Sequence, residues 1–414
     1  MDCGWARLLP SAMLLVVGCG QDILIGVISG GGSTGPGGSS TTETDPSLDA
    51  GTSTVGVEPG TAEGSGTSGT SESDDGTSSS TGADLPVEVC EAPTELVPCD
   101  AETTLMADPD VMSHAIGLGC EGDPQQVIPI LDPVYASPEA NAFRVLTAYG
   151  NDTFSAIEGE HLLALTTGQF LAADMDGMLE VPIGETDSPG QNNGNPDAVP
   201  LPPPISAESG SAGGFGGVPY VDCDGLGDCS ESLPVLYGNG GPARDLIWLS
   251  FDIEVPAGTH GYQVDMAWFT AEYPARADMQ GTDIAIWWQS SEAFTGNVAT
   301  VDGNALSASS MAEWLDAQGL LGGVDMVALQ GTGYEAATMV PCKHPGGSYP
   351  LCPRGAGTGW LTMTGAAVPG ETVTMAVALF DLVDMTRDST LLLDNWRWYC
   401  EGCEPGVDCG LAPS

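Results

Sequence analysis

Alternation of apolar and polar positions is the clearest pattern in the chain. From Leu246 to Pro256, Ile247, Leu249, Phe251, Ile253 and Val255 alternate with Trp248, Ser250, Asp252 and Glu254. A period of two sends successive side chains to opposite faces, so this stretch predicts a strand with one buried face. Residues 262–273, 283–289, 360–365, 372–382 and 390–399 read the same way, separated by Gly, Pro, Asn or Asp. Residues 143–149 and 161–167 add two candidate strands upstream. Two helices are expected. Asp108-Pro109-Asp110 places a proline where a first helical turn tolerates it, opening a helix through Ala115. Ser309 is a candidate cap for a helix over 311–320, with Met311, Trp314, Leu315 and Ala317 toward the core. Strands at irregular intervals with one or two short helices predict a mainly β fold, an antiparallel, jelly-roll-like β-sandwich. Residues 183–245, dominated by Gly, Pro, Asn and Asp, predict a long surface loop insertion without a core of its own.

The first 85 residues follow other rules. Residues 1–18 read as a secretion signal, with Arg7 in the n-region and a short apolar core from Leu8 to Val17. That core is far short of the roughly 20 residues needed to span a bilayer. It ends in Leu15-Val16-Val17-Gly18-Cys19, which resembles a bacterial lipobox. The resemblance implies that the signal is removed and Cys19 acylated, which would hold the chain in the bacterial cell envelope, at the outer membrane or cell surface. Several acyl chains, at about 0.8 kcal/mol per buried methylene, make a lasting anchor. Residues 20–85 contain 40 Gly, Ser or Thr, ten acidic residues, and no basic or aromatic residue. Such a segment cannot bury enough apolar surface to offset the entropy of ordering, and the expectation for 19–85 is a disordered tether. Its root-mean-square span would be roughly 45 Å.

Charge narrows the partners. The 414 residues carry 57 Asp and Glu against 8 Lys and Arg, a formal net charge of −49. Residues 86–414 keep 46 of the acids and 7 of the basic residues. Nucleic acids and anionic lipid surfaces each need a basic patch, so neither is an expected electrostatic partner. Contact with a membrane is expected through the lipid anchor alone, and the other partners would be an extracellular glycan or a surface protein.

Several blocks of the folded part resemble a known family. Thr270-Ala271-Glu272-Tyr273-Pro274 followed by Gly281-Thr282-Asp283-Ile284-Ala285 is similar to the central block of the choice-of-anchor L domain. Gly359-Trp360-Leu361, Val368-Pro369-Gly370-Glu371, Leu379-Phe380-Asp381, Asp388-Ser389-Thr390 and Leu393-Asp394-Asn395-Trp396 resemble its C-terminal block. The opening from Ala107-Asp108-Pro109 to Ala115-Ile116-Gly117-Leu118 resembles the start of that family in soil bacteria of the myxobacterial kind. The likeness covers roughly 104–400 and departs at Thr282, where members often carry Asn. It implies a surface location and a fold, and no enzymatic activity comes with it.

Cysteines and carboxylates supply the candidate chemistry. Twelve cysteines are too many for a reducing compartment. Beyond Cys3 and Cys19, the ten at Cys90, Cys99, Cys120, Cys223, Cys229, Cys342, Cys352, Cys400, Cys403 and Cys409 are an even number, as disulfides require. Short loops favour Cys223–Cys229 and Cys342–Cys352; the connectivity of the other six stays open. A competing reading gives Cys400-x2-Cys403-x5-Cys409 to zinc, but no second close pair accompanies it. Two groups of acids are candidate calcium ligands. Asp222, Asp224 and Asp228, in a stretch resembling a truncated thrombospondin type 3 repeat, are closely spaced around Gly225 and Gly227, and the bland reading is a disulfide-closed acidic turn. Glu272, Asp283, Asp388 and Asp394 sit at strand ends, where the choice is between a calcium site and turn hydrogen bonding. No metalloprotease, nucleophile-elbow or phosphate-loop motif is present. The expected function is therefore a non-enzymatic binding or adhesion module on a flexible stalk, and the alternative is a glycan hydrolase using paired carboxylates.

Overall fold

The computed structural model describes residues 89–414 except 94–95, 99–107, 124, 138–140, 169, 171–198, 241–242, 274–281, 312–328, 330, 335–338, 342–350, 354 and 383–386. The anchor residue Cys19 and the tether 19–85 lie outside the described residues. A short helix comes first, α1 (Pro109–His114). Five strands follow: β1 (Leu131–Ala136), β2 (Phe143–Leu146), β3 (Ala148–Tyr149), β4 (Phe154–Ser155) and β5 (Leu162–Thr166). Helix α2 (Ser232–Gly240) precedes the long strands β6 (Ala243–Glu254), β7 (Gly261–Thr270) and β8 (Ile284–Ser290). Short pieces come next: β9 (Thr295–Asn297), β10 (Thr300–Val301), β11 (Asn304–Ser307), β12 (Met339–Pro341), β13 (Leu351–Pro353) and β14 (Ala356–Gly357). The chain closes with β15 (Leu361–Ala366), β16 (Thr372–Leu382), β17 (Ser389–Tyr399) and β18 (Gly410–Pro413).

The strands form an antiparallel sandwich, as the alternation predicts. One seven-stranded sheet runs β1-β6-β16-β8-β11-β10, with β9 also paired to β8. The other runs β18-β15-β7-β17-β5-β2, with β14 also paired to β7. Neighbouring long strands come from distant parts of the sequence: Leu382 pairs with Ala243, and Leu393 with Leu163. The main core joins both sheets: Ile247, Leu249, Phe251 and Ile253 of β6 and Val373, Met375, Val377 and Leu379 of β16 share it with Val264, Met266 and Trp268 of β7 and Leu391 and Leu393 of β17.

Both sheets are also covered on their outer faces, and here the insertion departs from expectation. Its described part, 199–240, is not a coreless surface loop. Ile205 and Leu233 are buried in a second apolar cluster with Leu246, Ile284, Ile286, Trp288, Ala376 and Phe380 on the outer face of the first sheet. The amide of Leu233 donates to Asp228 Oδ2 at 2.8 Å, which ties down the start of α2. On the other sheet, Tyr149, Phe154, Leu329 and Tyr334 cover Phe269 and Leu392.

The helix starts are local chemistry. Asp108 has extended backbone and its side chain accepts from the Asp110 amide at 3.0 Å, so it caps α1 ahead of Pro109. The later helix begins at 308, one turn position earlier than a Ser309 cap allows. Ser307 is its cap: the Ser310 amide donates to Ser307 Oγ at 3.3 Å and the Ser307 amide to Ser310 Oγ at 3.0 Å, a reciprocal capping arrangement. Met311 is buried as expected, while Trp314, Leu315 and Ala317 lie outside the described residues.

Three disulfides are placed: Cys90–Cys400, Cys223–Cys229 and Cys403–Cys409. Cys120 is also disulfide-bonded. The expected Cys342–Cys352 link and Cys99 fall outside the described residues or side chains. Cys400, Cys403 and Cys409 are thus all oxidised, and the zinc reading fails because a disulfide sulfur is not a thiolate ligand.

Candidate functional site

At one end of the space between the sheets the apolar layers give way to acids. Strand β16 sends Val373, Met375, Val377 and Leu379 into the core, and Asp381 follows two residues later. Strand β8 sends in Ala285 and Trp287, and Asp283 precedes them by two. Asp245 lies two residues before Ile247 on β6, at φ 52°, where the β6–β16 register shifts between Leu379 and Asp381. These are three adjacent strands of one sheet. The facing sheet contributes Glu272 just beyond β7, Thr167 just beyond β5 and Asp388 just ahead of β17. Asp245, Glu272 and Asp283 are 1% exposed, Asp381 2% and Asp388 3%.

Hydrogen bonds link the two sheets through this cluster. The Asp283 amide donates to Glu272 Oε2 at 2.7 Å. Thr167 Oγ1 donates to Asp283 Oδ2 at 3.3 Å and accepts from the Ser389 amide at 2.9 Å. The Ala271 amide donates to the Asp388 carbonyl at 3.1 Å. A Cβ on Gly168 would stand 2.4 Å from Cγ and Oδ2 of Asp388, so a larger residue at the end of β5 would force this carboxylate to shift. One oxygen is conspicuous. Asp381 Oδ1 is buried without a hydrogen-bond partner.

The acids act on one another. Burial pushes the Asp381 carboxyl well above the usual carboxylate range, followed by the charge of Asp283, a hydrogen bond shared with it, and the charges of Asp245 and Glu272. Burial also drives Asp388 well up, with Asp283 and Asp245 adding to it. The phenol of Tyr334 rises through burial first, then through Tyr149 and Asp388. Taking one carboxylate out of water costs several kcal/mol, and like charges side by side add to that. The cluster therefore needs protons, basic partners or a bound cation. Arg244 lies opposite Asp381 in the ladder and Arg387 precedes Asp388 in the chain, two basic residues against five acids.

The sequence-predicted ligands divide. Glu272, Asp283 and Asp388 lie at this end of the sandwich, but among the described residues no three carboxylates bring oxygens within 4.8 Å of one another. Asp394 lies six residues along β17 from Asp388, about 20 Å away at strand rise. Its carboxylate instead accepts from the amides of Ile157 and Asn395, each at 2.6 Å. Asp222, Asp224 and Asp228 do not converge. Asp224 takes the amides of Leu226 and Gly227, closing a turn, and Asp222 is exposed. Asp228 is fully buried and accepts from the amides of Ser230, Leu233 and Asn297. The disulfide-closed acidic turn is what the structure places there.

Asp245 and Asp381 were not among the sequence-predicted ligands. Each stands at a position whose alternation points into the core, and an ionisable residue at core parity inside a strand is the signal that marks them. Among the described tryptophans, Trp268, Trp287, Trp288 and Trp396 are buried and present no face to a sugar, and Trp398 packs edge-on against Trp396 at 4.7 Å. No match was found among protein-family models, curated proteins or solved structures.

Proposed function

We propose that this chain is a lipid-anchored, non-enzymatic binding module of the bacterial cell surface, held off the membrane by the acidic tether. The observation that carries the reading is the Cys90–Cys400 disulfide, which fastens the segment entering the sandwich to the end of β17, a central strand. A domain displayed on a stalk is pulled through its point of entry, and a covalent link into the sheet interior resists that pull. The lipobox-like Cys19 and the likeness to the choice-of-anchor L domain support the same address. No helix among the described residues is long and apolar enough to cross a membrane, which leaves attachment to the acyl chains in this reading. The partner would be a glycan or protein of the surroundings.

Cell fractionation tests the anchor. Wild type is expected in the detergent-extracted membrane fraction and Cys19→Ala in the soluble secreted fraction; unchanged partition would remove the lipoprotein reading. The released Cys19→Ala protein is then screened on a glycan array and for release of reducing ends from the same glycans. Retention without cleavage is expected, and turnover would replace the binding module with the glycan hydrolase.

A further inference from the structure

We propose that the loops closed by Cys223–Cys229 and Cys403–Cys409 form one docking face for a basic segment of a partner protein. This rests on the binding-module reading above, naming its face and partner, and is independent of the anchor. Each loop holds apolar side chains in water. Leu226 is 78% exposed inside the first ring and Val407 72% inside the second. Phe215, Val218 and Val221, just ahead of the first ring, are exposed as well. One apolar residue in solvent needs no explanation, but several on adjoining loops mark an interaction face. The loops adjoin at Tyr220, whose ring covers the bare Gly406: a Cβ there would stand 2.6 Å from Tyr220 Cδ2. Val221 and Val407 follow the two residues of that contact. Tyr220 stacks in turn on Phe294, ring centroids 6.0 Å apart, so the contact is seated on the core.

Neither loop is free to fold its apolar residues inward. Asp224 Oδ1 accepts the amides of Leu226 and Gly227 at 2.7 and 2.8 Å. The Glu404 carbonyl accepts the Val407 amide at 3.0 Å, and the Glu404 amide donates to Asp408 Oδ1 at 2.6 Å. A face fixed before binding loses little conformational entropy when it is covered. Charge then selects the occupant. Asp222, Asp224, Glu404 and Asp408 are exposed on the same loops, and among the described residues no lysine or arginine is exposed. Beside the second ring, an open hollow of 540 Å³ is lined by Ala293, Ala366 and Ala367 and by Glu401, Glu404 and Asp408. A lysine or arginine side chain lays its methylenes on such a floor and its charged head against such a rim. Complementary charge of this kind selects the partner and fixes its register. A second copy would bring the same acids face to face, and anionic headgroups would meet them too, so like charge opposes both.

The Cys19→Ala chain, free of acyl chains and so of detergent, is titrated into a labelled peptide of alternating lysine and leucine, followed by fluorescence anisotropy. A lysine–serine peptide of the same length should bind at least about tenfold more weakly, and a glutamate–leucine peptide not at all. Leu226→Ser with Val407→Ser, and Phe215→Ser with Val218→Ser, should each weaken the lysine–leucine peptide at least about fivefold. Ile157→Ser, exposed beside Asp394, should leave it unchanged. All five side chains lie in solvent, so the fold should tolerate their loss, and an unshifted melting temperature confirms it. The proposal is overturned if the lysine–serine peptide binds equally well, because charge alone then suffices, or if both double variants bind as the parent does. It is also overturned if sedimentation shows a dimer, or a glycan array shows retention, that the Leu226→Ser, Val407→Ser pair abolishes; the face would then belong to a second copy or to a glycan. Glycan retention untouched by either pair, with no peptide binding, overturns this face and leaves the binding module standing.

Discussion

A single carboxyl group can carry opposite meanings in the sequence and in the fold, and Asp394 is the case. Its place in a block shared with Asp388 made it a candidate ligand, yet its oxygens are taken by the amides of Ile157 and Asn395. Burial pushes its pKa up to about 7, and the nearby charge of Glu158 adds to the rise. Across the ladder stands Asp265, which is occupied by Arg397 at 2.9 Å. The folded value lies above the unfolded value of about 3.9, so the folded state holds more protons between those limits. This contribution to stability is complete below about pH 4 and is lost as pH rises through about 7, a change on the order of 4 kcal/mol at most. Asp394→Asn should therefore flatten the fall in melting temperature between pH 5 and 8 in calcium-free buffer. The slope is the readout, because the asparagine also gives up one acceptor and shifts the absolute level. An unaltered slope would mean that Asp394 is ionised throughout. What made Glu272, Asp283 and Asp388 legible was their position at strand ends. Asp245 and Asp381 were passed over because an aspartate is by residue type a solvent-facing choice, although both share the parity of the buried Ile247 and Leu379.

Strands were legible where one face is wet, as in β6, whose buried and half-buried positions alternate from Ile247 to Ile253. They were legible by apolar content alone in β8 and β16, which are buried on both faces. The covering layer was not legible. Pro234, Gly238 and Gly240 within α2 and the glycines before it read as loop, because local composition carries no record of the sheet face that waits for Ile205 and Leu233. Tertiary burial supplies the stabilisation that local propensity lacks. Leu233→Ala separates the two descriptions. On a solvated insertion the change would cost under about 0.5 kcal/mol. Buried against Ile284, Trp288 and Phe380 it should cost about 2–5 kcal/mol in chemical denaturation, with the outer face of the first sheet left open. A loss below about 1 kcal/mol would restore the loop reading.

At the scale of the whole molecule, covalent connectivity decides how the chain responds to load. Cys90 and Cys400 are 310 residues apart in sequence and joined in the fold. Closing so long a loop removes unfolded-state entropy equivalent to roughly 6 kcal/mol, an upper value because the other disulfides already constrain the chain. Its mechanical consequence is larger. A pull applied between the tether and Ser414 passes from Cys90 through the sulfur–sulfur bond to Cys400, so none of the strands from β1 to β17 lies in the path of tension. Spacing alone left this link open, since Cys90 had several equally plausible partners; only the meeting of residue 90 with the end of β17 selects Cys400. Single-molecule extension with handles at Ser80 and Ser414 tests it directly. Under oxidising conditions the trace should show no unfolding of β1 to β17, only the stretching of tether and tail and the peeling of the edge strand β18 from β15. With all disulfides reduced, unfolding should release about 1,000 Å of additional chain at about 3.4 Å per residue. The Cys90→Ser, Cys400→Ser pair should release most of that length without reductant, falling short by the loops that the remaining disulfides still close. A full-length release from the oxidised wild type would show that the entry point is not stapled, and the load-resisting display module would lose its central support.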